Sequence, residues 1–295
     1  MKDGRCVGYG SGMTNPPRID LHAHTSASDG TETPTQLILA AVGAGLDVVA
    51  ITDHDTTSGW DEAAASAGNA GIGLVRGVEA STVYDGIKVH LLGYLFDPAN
   101  PELVAEFERV RESRLARGEA MTAKLGRDFP ITWADVQGQA PAGATAGRPH
   151  IADALVAAGV VRSRDEAFAG ILSQHGPYYV HHHSIDTVHA IRLLLAAGGV
   201  PVIAHPGAAK RGPTLAPRHL AELADAGLRG LEVDHRDHTD EMRSRLRAIA
   251  AELGLIATGS SDYHGTGKRN RLGENLTDPA ALARIVDEAS GVPLI

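Results

Sequence analysis

Short, almost wholly apolar runs alternate with amphipathic stretches along most of the chain, which predicts strands separated by helices. The run at residues 47–52, Asp-Val-Val-Ala-Ile-Thr, is typical of a strand buried on both faces of a parallel sheet. Thr33 followed by Pro34 predicts the start of a helix, with a capping hydroxyl and a proline in the first turn. Seven strands are predicted, at residues 19–23, 47–52, 72–81, 88–94, 200–204, 228–233 and 255–259.

The alternation is interrupted after Pro98, where residues 101–126 predict one long charged helix. Short helices and loops rich in Gly, Pro and Ala follow, before the strand and helix pattern resumes near residue 185. This change of pattern indicates a helical insertion into an α/β domain built on a parallel barrel or an open sheet. The predicted parts are a flexible tail (1–17), a first α/β part (18–100), the helical insertion (101–183) and a second α/β part (184–295).

Polar side chains that can bind a metal recur where the predicted strands end. Asp20, His22 and His24 are predicted to share one face of the first strand, because side chains alternate along a strand. A single His-x-His is more often a pair of half-exposed strand histidines, but here further candidates follow at the later strands. The nine candidate nitrogen and oxygen ligands are His22, His24, Asp29, His54, Glu79, His90, His205, Asp262 and His264.

Composition limits the classes of partner. Aromatic residues make up only 4% of the 295 residues, which argues against a platform for stacking bases. The net charge of −9 argues against binding duplex nucleic acid. The single cysteine, Cys6, fits a reducing compartment, and neither a secretory leader nor an apolar run of membrane-spanning length is present, so we expect a cytoplasmic protein without a membrane partner.

Six ordered motifs give the chain a family resemblance. They are Asp20-x-His22-x-His24-Thr25, Asp53-His54-Asp55, Gly77-Val78-Glu79, His90-Leu91-Leu92-Gly93, Ala204-His205-Pro206 and Gly259-Ser260-Ser261-Asp262-x-His264. Together they resemble the polymerase-and-histidinol-phosphatase (PHP) family of metal-dependent phosphoesterases, over residues 18 to about 265. The resemblance implies an α/β fold, a distorted (β/α)7 barrel, which here carries the helical insertion as an added domain.

The same resemblance implies two or three bound divalent metal ions, Mn²⁺ before Fe²⁺ or Zn²⁺, and a set of ligands for each. The implied sets are His22, His24, Glu79 and Asp262 for the first ion, Glu79, His90 and His205 for the second, and Asp29, His54 and His264 for the third. Asp29 and His264 are also the candidate catalytic residues that could protonate the leaving oxygen. Mixed imidazole and carboxylate donors suit all three metals, so the ligands alone do not select one.

The insertion resembles the branch of the family that contains the nucleoside 3',5'-bisphosphate phosphatases. Arg111, Arg114 and Arg117 are spaced three apart on the predicted long helix, and Arg148 and His150 open a later helix. Planar guanidinium groups and a helix N-terminus both suit a phosphate that is held but not cleaved. The competing interpretation of the three helix arginines is an ordinary solvated face.

Neighbouring polar residues are predicted to have supporting roles. Asp20 is predicted to orient a ligand histidine, and Asp53 and Asp55 to shape the turn around His54. The three histidines at 181–183 are predicted to be solvated. His235 and His238 fit either a place at the rim of the site or a capping role.

The resulting functional prediction is a metal-dependent phosphatase that acts on a small phosphorylated nucleotide, with no obligatory protein partner indicated. The leading substrate is adenosine 3',5'-bisphosphate, cleaved at the 3'-phosphate to give AMP and phosphate. A 5'-3' exonuclease acting on short RNA or DNA is the alternative, although it calls for a longer groove and a more basic surface. A histidinol-phosphate phosphatase is a third possibility with the same chemistry.

Overall fold

The computed structural model describes residues 15–141, 145–181 and 183–295. The predicted tail at 1–17 lies outside these ranges except for its last residues, and Cys6 and His182 lie outside them as well. The strands are β1 (Ile19–Asp20), β2 (Val48–Ile51), β3 (Gly73–Tyr84), β4 (Ile87–Tyr94), β5 (Ile185–Asp186), β6 (Val200–Ile203), β7 (Gly230–Asp234) and β8 (Ile256–Gly259).

One sheet curls into a nearly closed barrel. Its strands follow the order β1-β2-β3-β4-β6-β7-β8, and the two-residue β5 pairs with the far end of β3. The first and last strands meet beyond their ends, where the backbone of Ala23 bridges Tyr263 and the N–H of His24 donates to the carbonyl of Tyr263 at 2.8 Å. The seven main strands match the seven predicted segments, and the predicted distorted (β/α)7 barrel is confirmed.

The direction of β4 differs from the sequence prediction, because β4 runs antiparallel to both β3 and β6. A two-residue turn connects β3 to β4, and both of its residues, Asp85 (φ 48°) and Gly86 (φ 73°), have left-handed backbones. Such a turn matches the twist of a tight hairpin and reverses the chain at once. The parallel arrangement expected from the strand pattern therefore holds for the other main neighbours but not for β4.

Helices cover the outside of the barrel and fill the insertion. They are α1 (Pro34–Gly43), α2 (Trp60–Ala70), α3 (Pro101–Leu125), α4 (Trp133–Gln139), α5 (Arg148–Ala157), α6 (Arg164–Ala169), α7 (Thr187–Ala196), α8 (Pro217–Asp225), α9 (Asp240–Glu252) and α10 (Pro279–Glu288). The predicted cap of α1 is confirmed, since the Thr33 hydroxyl accepts from the Gln36 N–H at 3.2 Å. Within the described ranges, none of the helices combines the length and the apolar character that a bilayer span requires.

Helix α3 connects two apolar cores. Its first half packs into the main core of the barrel through Leu103, Phe107 and Val110. Its second half contributes Met121 and Leu125 to a separate core, which the residues between α3 and β5 complete. The insertion therefore has apolar packing of its own, and the long helix ties it to the barrel rim.

Candidate metal centre and phosphate cavity

The nine candidate ligands converge at one rim of the barrel, although some lie more than 200 residues apart in sequence. His22 and His24 follow β1, Glu79 and His90 lie within β3 and β4, and His205 follows β6. The remaining candidates come from the loops after β1, β2 and β8, where the carboxyl ends of parallel strands meet. The barrel topology thus brings together the nine candidate ligands, which lie at separate strands in the sequence.

Four ligand atoms form the tightest group. The Nε2 atoms of His22 and His24 lie 3.0 Å apart, and they lie 3.2 and 3.0 Å from Oε2 of Glu79. Oδ1 of Asp262 is 3.5 Å from both imidazole nitrogens. The ligand atoms of these four buried residues all lie within 4.8 Å of one another, which is a suitable arrangement for one divalent cation.

The second oxygen of Glu79 faces another pair of histidines. Oε1 lies 2.7 Å from Nδ1 of His90 and 2.9 Å from Nε2 of His205. His54 is also close, with Nδ1 3.4 Å from Oε2 of Glu79. Glu79 therefore lies between two groups of imidazoles, with one oxygen toward each, and this is the position that a bridging carboxylate requires.

A third group lies around Asp29. Its Oδ1 is 3.2 Å from Nε2 of His264 and 3.6 Å from Nδ1 of His24, and its Oδ2 is 3.9 Å from Nε2 of His54. The ligand atoms of these four residues also fall within 4.8 Å of one another. His24 thus presents one ring nitrogen to each of two groups, which the sequence did not indicate.

The charges at the rim are mutually dependent. Burial would raise the pKa of the Glu79 carboxyl, but the neighbouring His90, His54 and His22 lower it well below its usual range. Burial opposes the charged form of His22 too, while Glu79 and Glu232 raise the pKa of its imidazole well above the ordinary value. The carboxylates and imidazoles stabilise each other's charged forms, and this donor set fits a divalent cation that would replace protons.

Two of the candidate ligands have strained backbones. His205 has a φ angle of 32° and Asp262 one of 53°, both in the left-handed region that side chains with a Cβ seldom adopt. Such conformations persist only where the surrounding structure enforces them, and they concentrate at functional sites. His205 and Asp262 lie shortly after the ends of β6 and β8, and their side chains face the same rim.

A cavity of about 430 Å³ opens beside the ligand groups. Its lining joins the three ligands Asp29, His54 and His90 to groups from the insertion. The predicted phosphate residues Arg111, Arg114, Arg117, Arg148 and His150 all line this cavity. The structure therefore brings the predicted insertion residues to the metal rim, opposite the candidate ligands.

The helix arginines are not an ordinary solvated face. Arg117 is only 8% exposed, and Nη2 of Arg114 is 2.9 Å from Oδ2 of the buried Asp55. Arg111 donates to the backbone carbonyl of Asp55 at 2.8 Å. Arg109 shows what the solvated face looks like, because its side chain is 64% exposed. The three arginines instead project from α3 toward the barrel, and the solvated interpretation is wrong for them.

Comparison with known proteins fits this geometry. The PHP domain family matches residues 20–125. A 3',5'-nucleoside bisphosphate phosphatase of Chromobacterium violaceum is 36% identical over 86% of this chain and 89% of its own length. The chain belongs to the PHP family. A 5'-3' exoribonuclease of Haemophilus influenzae is 33% identical over 88% of this chain and 94% of its own. A crystal structure from Bifidobacterium adolescentis, assigned to the metal-dependent phosphoesterases, superposes with a TM-score of 0.91 at 45% identity, covering 94% of this chain and 98% of that one.

The family and the site together establish the reaction class. This PHP protein is a metal-dependent phosphoesterase, a hydrolase of phosphoric ester bonds. Its imidazole and carboxylate clusters fit divalent metal ions, and the relatives include a phosphatase of small nucleotides.

Glu232 is a further buried carboxylate of the PHP centre that the sequence motifs did not indicate. This fully buried residue on β7 accepts from Nδ1 of His22 at 3.0 Å and from the N–H of His205 at 2.6 Å, and the Ser260 hydroxyl donates to it as well. A lone Glu in the apolar run Leu-Glu-Val was the available signal. Glu232 performs the orienting role that had been predicted for Asp20.

Asp20 contacts a candidate ligand only through that ligand's backbone, since its carboxylate accepts from the N–H of His22 at 3.4 Å. Strand β1 ends at Asp20, and its carboxylate accepts from the backbone N–H groups of Ser261 and Gly273, each at 2.9 Å. Burial raises its pKa to about 6 against these hydrogen bonds. Asp20 therefore anchors the loop that carries Asp262, and no ring nitrogen of a histidine contacts it among the described residues.

The two aspartates beside His54 shape the rim as predicted. Asp53 accepts from the N–H and hydroxyl of Thr25, at 2.8 and 2.6 Å, and from the Ser28 hydroxyl at 2.6 Å. These bonds fix the loop between His24 and Asp29. Asp55 accepts from the N–H of Ser81 at 2.7 Å and pairs with Arg114, so it connects β3 to the insertion helix.

The remaining histidines divide between the rim and structural roles. Nε2 of His235 is 3.6 Å from Oδ2 of Asp262, and Nζ of Lys268 is 3.0 Å from the same oxygen, so both hold that carboxylate in place. His238 accepts from the N–H of Gly207 at 3.0 Å and donates to the Val233 carbonyl at 2.8 Å, which is a capping role. His183 pairs with Glu106 at 2.8 Å and is therefore not simply solvated.

Proposed function

We propose that this PHP protein removes the 3'-phosphate of adenosine 3',5'-bisphosphate, giving AMP and phosphate. The observation that carries the proposal is the shared cavity, in which candidate metal ligands face the arginines of the insertion. A substrate with two phosphates has one group for each side of this cavity, whereas a simple monophosphate has only one. The relative from Chromobacterium violaceum, a 3',5'-nucleoside bisphosphate phosphatase, supports the assignment.

We propose ligand sets for up to three ions, most simply Mn²⁺, with Fe²⁺ or Zn²⁺ as alternatives. The sets are His22, His24, Glu79 and Asp262; Glu79, His90 and His205; and Asp29, His54, His264 and His24. Divalent ions bound there would neutralise the phosphate charge and lower the pKa of water to about 7. Asp29 and His264, 3.2 Å apart, are the proposed residues for moving the proton of the leaving oxygen.

The protein's own residues would orient the substrate. Arg148 and Arg117 reach the cavity from the insertion and would hold the uncleaved phosphate by charge-assisted hydrogen bonds. Holding both phosphates fixes the ester relative to the ligand groups, which is how positioning contributes to catalysis. We also retain the expectation of a cytoplasmic location, for which the single cysteine is the support.

A second candidate function is 5'-3' exonuclease activity on short RNA. The observation that favours it is another cavity, of about 220 Å³, which shares Lys88, His90 and Arg148 with the first and extends past His205. An additional nucleotide would fit such an extension, and the relative from Haemophilus influenzae is a 5'-3' exoribonuclease. Histidinol phosphate fits less well, because its amine would approach the arginines.

The deciding experiment measures phosphate or nucleotide release with Mn²⁺ from four substrates. These are adenosine 3',5'-bisphosphate, 3'-AMP, a short 5'-phosphorylated RNA and histidinol phosphate. The proposal expects the highest kcat/KM for the bisphosphate and a loss of about ten- to hundredfold for Arg148→Ala on that substrate alone, since hydrogen bonds to charged groups are worth about 1.5–3 kcal/mol. Preferred cleavage of the RNA would replace the phosphatase assignment with the nuclease.

A further inference from the structure

A cluster of cationic side chains around Tyr179 joins barrel strand β4 to the insertion beside the cavity. We call it the clasp, and it consists of Lys88, Tyr179, Arg117 and Arg148. Nζ of Lys88 donates to the Tyr179 hydroxyl at 2.6 Å and to Oε1 of Gln174 at 3.1 Å. The same ammonium lies 4.7 Å from the centroid of the Tyr179 ring. Neither Lys88 nor Tyr179 was a sequence candidate, because neither belongs to one of the six motifs.

Two insertion arginines approach the same phenol. A hydrogen bond joins Arg117 to the Tyr179 hydroxyl, and the guanidinium carbon of Arg148 lies 5.6 Å from the ring centroid. Arg148 also lies over Phe168 at 4.8 Å and donates from Nη2 to the Leu172 carbonyl at 2.5 Å. Its buried Nε atom has no hydrogen-bond partner among the described residues. Two cations thus contact the Tyr179 hydroxyl, and a third lies near its ring.

The electrostatics of this cluster indicate an excess of positive charge. Burial and repulsion from Arg114 and Arg148 lower the pKa of the Arg117 guanidinium to about 10. Burial would raise the pKa of the Tyr179 phenol, but the hydrogen bond from Lys88 and the charges of Lys88, Arg117 and Arg148 lower it. An anion placed here would relieve that repulsion, and the phenol oxygen is the acceptor that the protein itself supplies.

The distance between the clasp and the metal rim matches the separation of the two phosphates in the proposed substrate. Lys88 and His90 are two residues apart on β4, so their side chains leave the same face of the strand about 7 Å apart. Both line the main cavity. That separation is comparable to the span of one ribose between its 3'- and 5'-phosphates. Arg111 and Arg114, in contrast, are already engaged by Asp55.

We propose that Lys88 and Tyr179, together with Arg117 and Arg148, bind the uncleaved 5'-phosphate and thereby determine specificity for bisphosphates. The Tyr179 hydroxyl accepts from Lys88 and donates its own proton to a phosphate oxygen. The proposal rests on the function proposed above and assigns two further residues to it. In this proposal Arg111 and Arg114, which contact Asp55, have mainly structural roles.

The test compares Tyr179→Phe and Lys88→Met with wild type on adenosine 3',5'-bisphosphate and 3'-AMP. Each variant should raise KM for the bisphosphate by about tenfold or more, since a hydrogen bond to a charged group is lost. The effect on 3'-AMP, which lacks the 5'-phosphate, should be several-fold smaller. Tyr178→Phe is the matched control, because that hydroxyl donates to Asp128 at 2.8 Å on the exposed side of the insertion. Equal effects on both substrates, or faster bisphosphate turnover, would overturn the proposal.

A pH profile separates hydrogen bonding by the phenol from a structural role. Deprotonation of Tyr179 replaces its donor by a negative charge, so KM of the wild type for the bisphosphate should rise at alkaline pH. Tyr179→Phe should show no such rise at pH values well below 10, where Arg117, whose pKa is about 10, keeps its charge in both proteins. The titratable groups that face Tyr179 are Lys88, Lys124, Arg117, Arg148 and His181, and they are the same in both proteins. A parallel rise in both proteins would contradict the proposed contact.

Binding of AMP by calorimetry makes the inference independent of turnover. AMP carries only the 5'-phosphate, and wild type should bind it about tenfold more tightly than Tyr179→Phe or Lys88→Met. If wild type releases phosphate from neither substrate, the proposed function fails, while the calorimetry still decides the role of the clasp. Unchanged AMP affinity in both variants would remove Lys88 and Tyr179 from the phosphate site.

Discussion

The imidazole of His22 donates from Nδ1 to Oε1 of Glu232 over 3.0 Å, deep inside the barrel. Because a carboxylate only accepts, this bond keeps a proton on Nδ1 and directs Nε2 of His22, the atom left for a metal, toward Glu79 and His24. The other oxygen of Glu232 accepts from the N–H of His205. One buried carboxylate on β7 thus orients candidate ligands from two distant parts of the chain.

Replacing Glu232 by Gln tests this relationship. The amide would present an N–H to another donor, either His22 or the His205 backbone, and would misplace one ligand. We expect metal affinity to fall by about 10- to 100-fold, the usual effect of losing a partner of a metal-ligating histidine. Competition with a metal-sensitive dye measures the affinity, and Glu222→Gln, at an exposed position of α8, is the control. An unchanged affinity would show that Glu232 only supports the fold.

Because the two oxygens of Glu79 face different pairs of histidines, its removal should release more metal than removal of one histidine. Glu79→Ala removes the carboxylate that faces both pairs of histidines, whereas His90→Ala removes one partner of one oxygen. Metal analysis of purified protein should therefore show more ions lost from Glu79→Ala than from His90→Ala. Chelation of wild type should abolish hydrolysis, and added Mn²⁺ should restore it. Full activity in metal-free protein would contradict the whole assignment.

The ion pair between Arg114 and Asp55 predicts a stability effect. Asp55 is fully buried, so removal of the arginine leaves a carboxylate without its charged partner. Arg114→Ala should lower the free energy of unfolding by about 3–5 kcal/mol, the range for breaking a buried pair. Urea unfolding measures the loss. Arg109→Ala, on the exposed side of the same helix, should change stability by no more than about 1 kcal/mol. Similar small effects for both variants would show that the pair contributes little.

Burial of His150 predicts that folding stability depends on pH. Its Nδ1 accepts from the N–H of Gly147 at 3.0 Å, and burial lowers the pKa of the imidazole below the ordinary value of about 6.5. The unfolded chain therefore binds this proton at higher pH than the folded protein does, and folding stability falls as pH decreases below about 6.5. His150→Asn keeps an acceptor near Gly147 but does not titrate.

Unfolding of metal-free wild type and His150→Asn should be compared from pH 8 to pH 5. The difference in unfolding free energy between them should shrink or reverse as the pH falls, because only wild type must keep a neutral imidazole. A constant difference across this range would mean that folding does not shift the pKa of His150. A wild-type advantage that grows as the pH falls would mean that the folded protein favours the charged imidazole, which would then bind phosphate as a cation.

The sequence located most of the fold and nearly the whole metal centre, and its errors have specific causes. The apolar runs gave the positions of the main strands, but the direction of β4 depended on the Asp85-Gly86 turn. Glu232 was missed because a single acidic residue in a strand usually faces solvent, and only closure of the barrel buries it. Lys88 lies on barrel strand β4 and Tyr179 in the insertion, so no local sequence pattern predicts their contact.

What the sequence determined by itself is local: the period of the apolar positions, the caps of the helices, and a His, Asp or Glu at successive strands. These follow from backbone geometry over a few residues and so can be read along the chain. Tertiary structure alone decided which oxygen of Glu79 faces which histidines and that Arg117 is buried beside Tyr179. Such contacts join residues tens to hundreds of positions apart. Their distances are set by barrel closure and insertion packing, to which every element contributes.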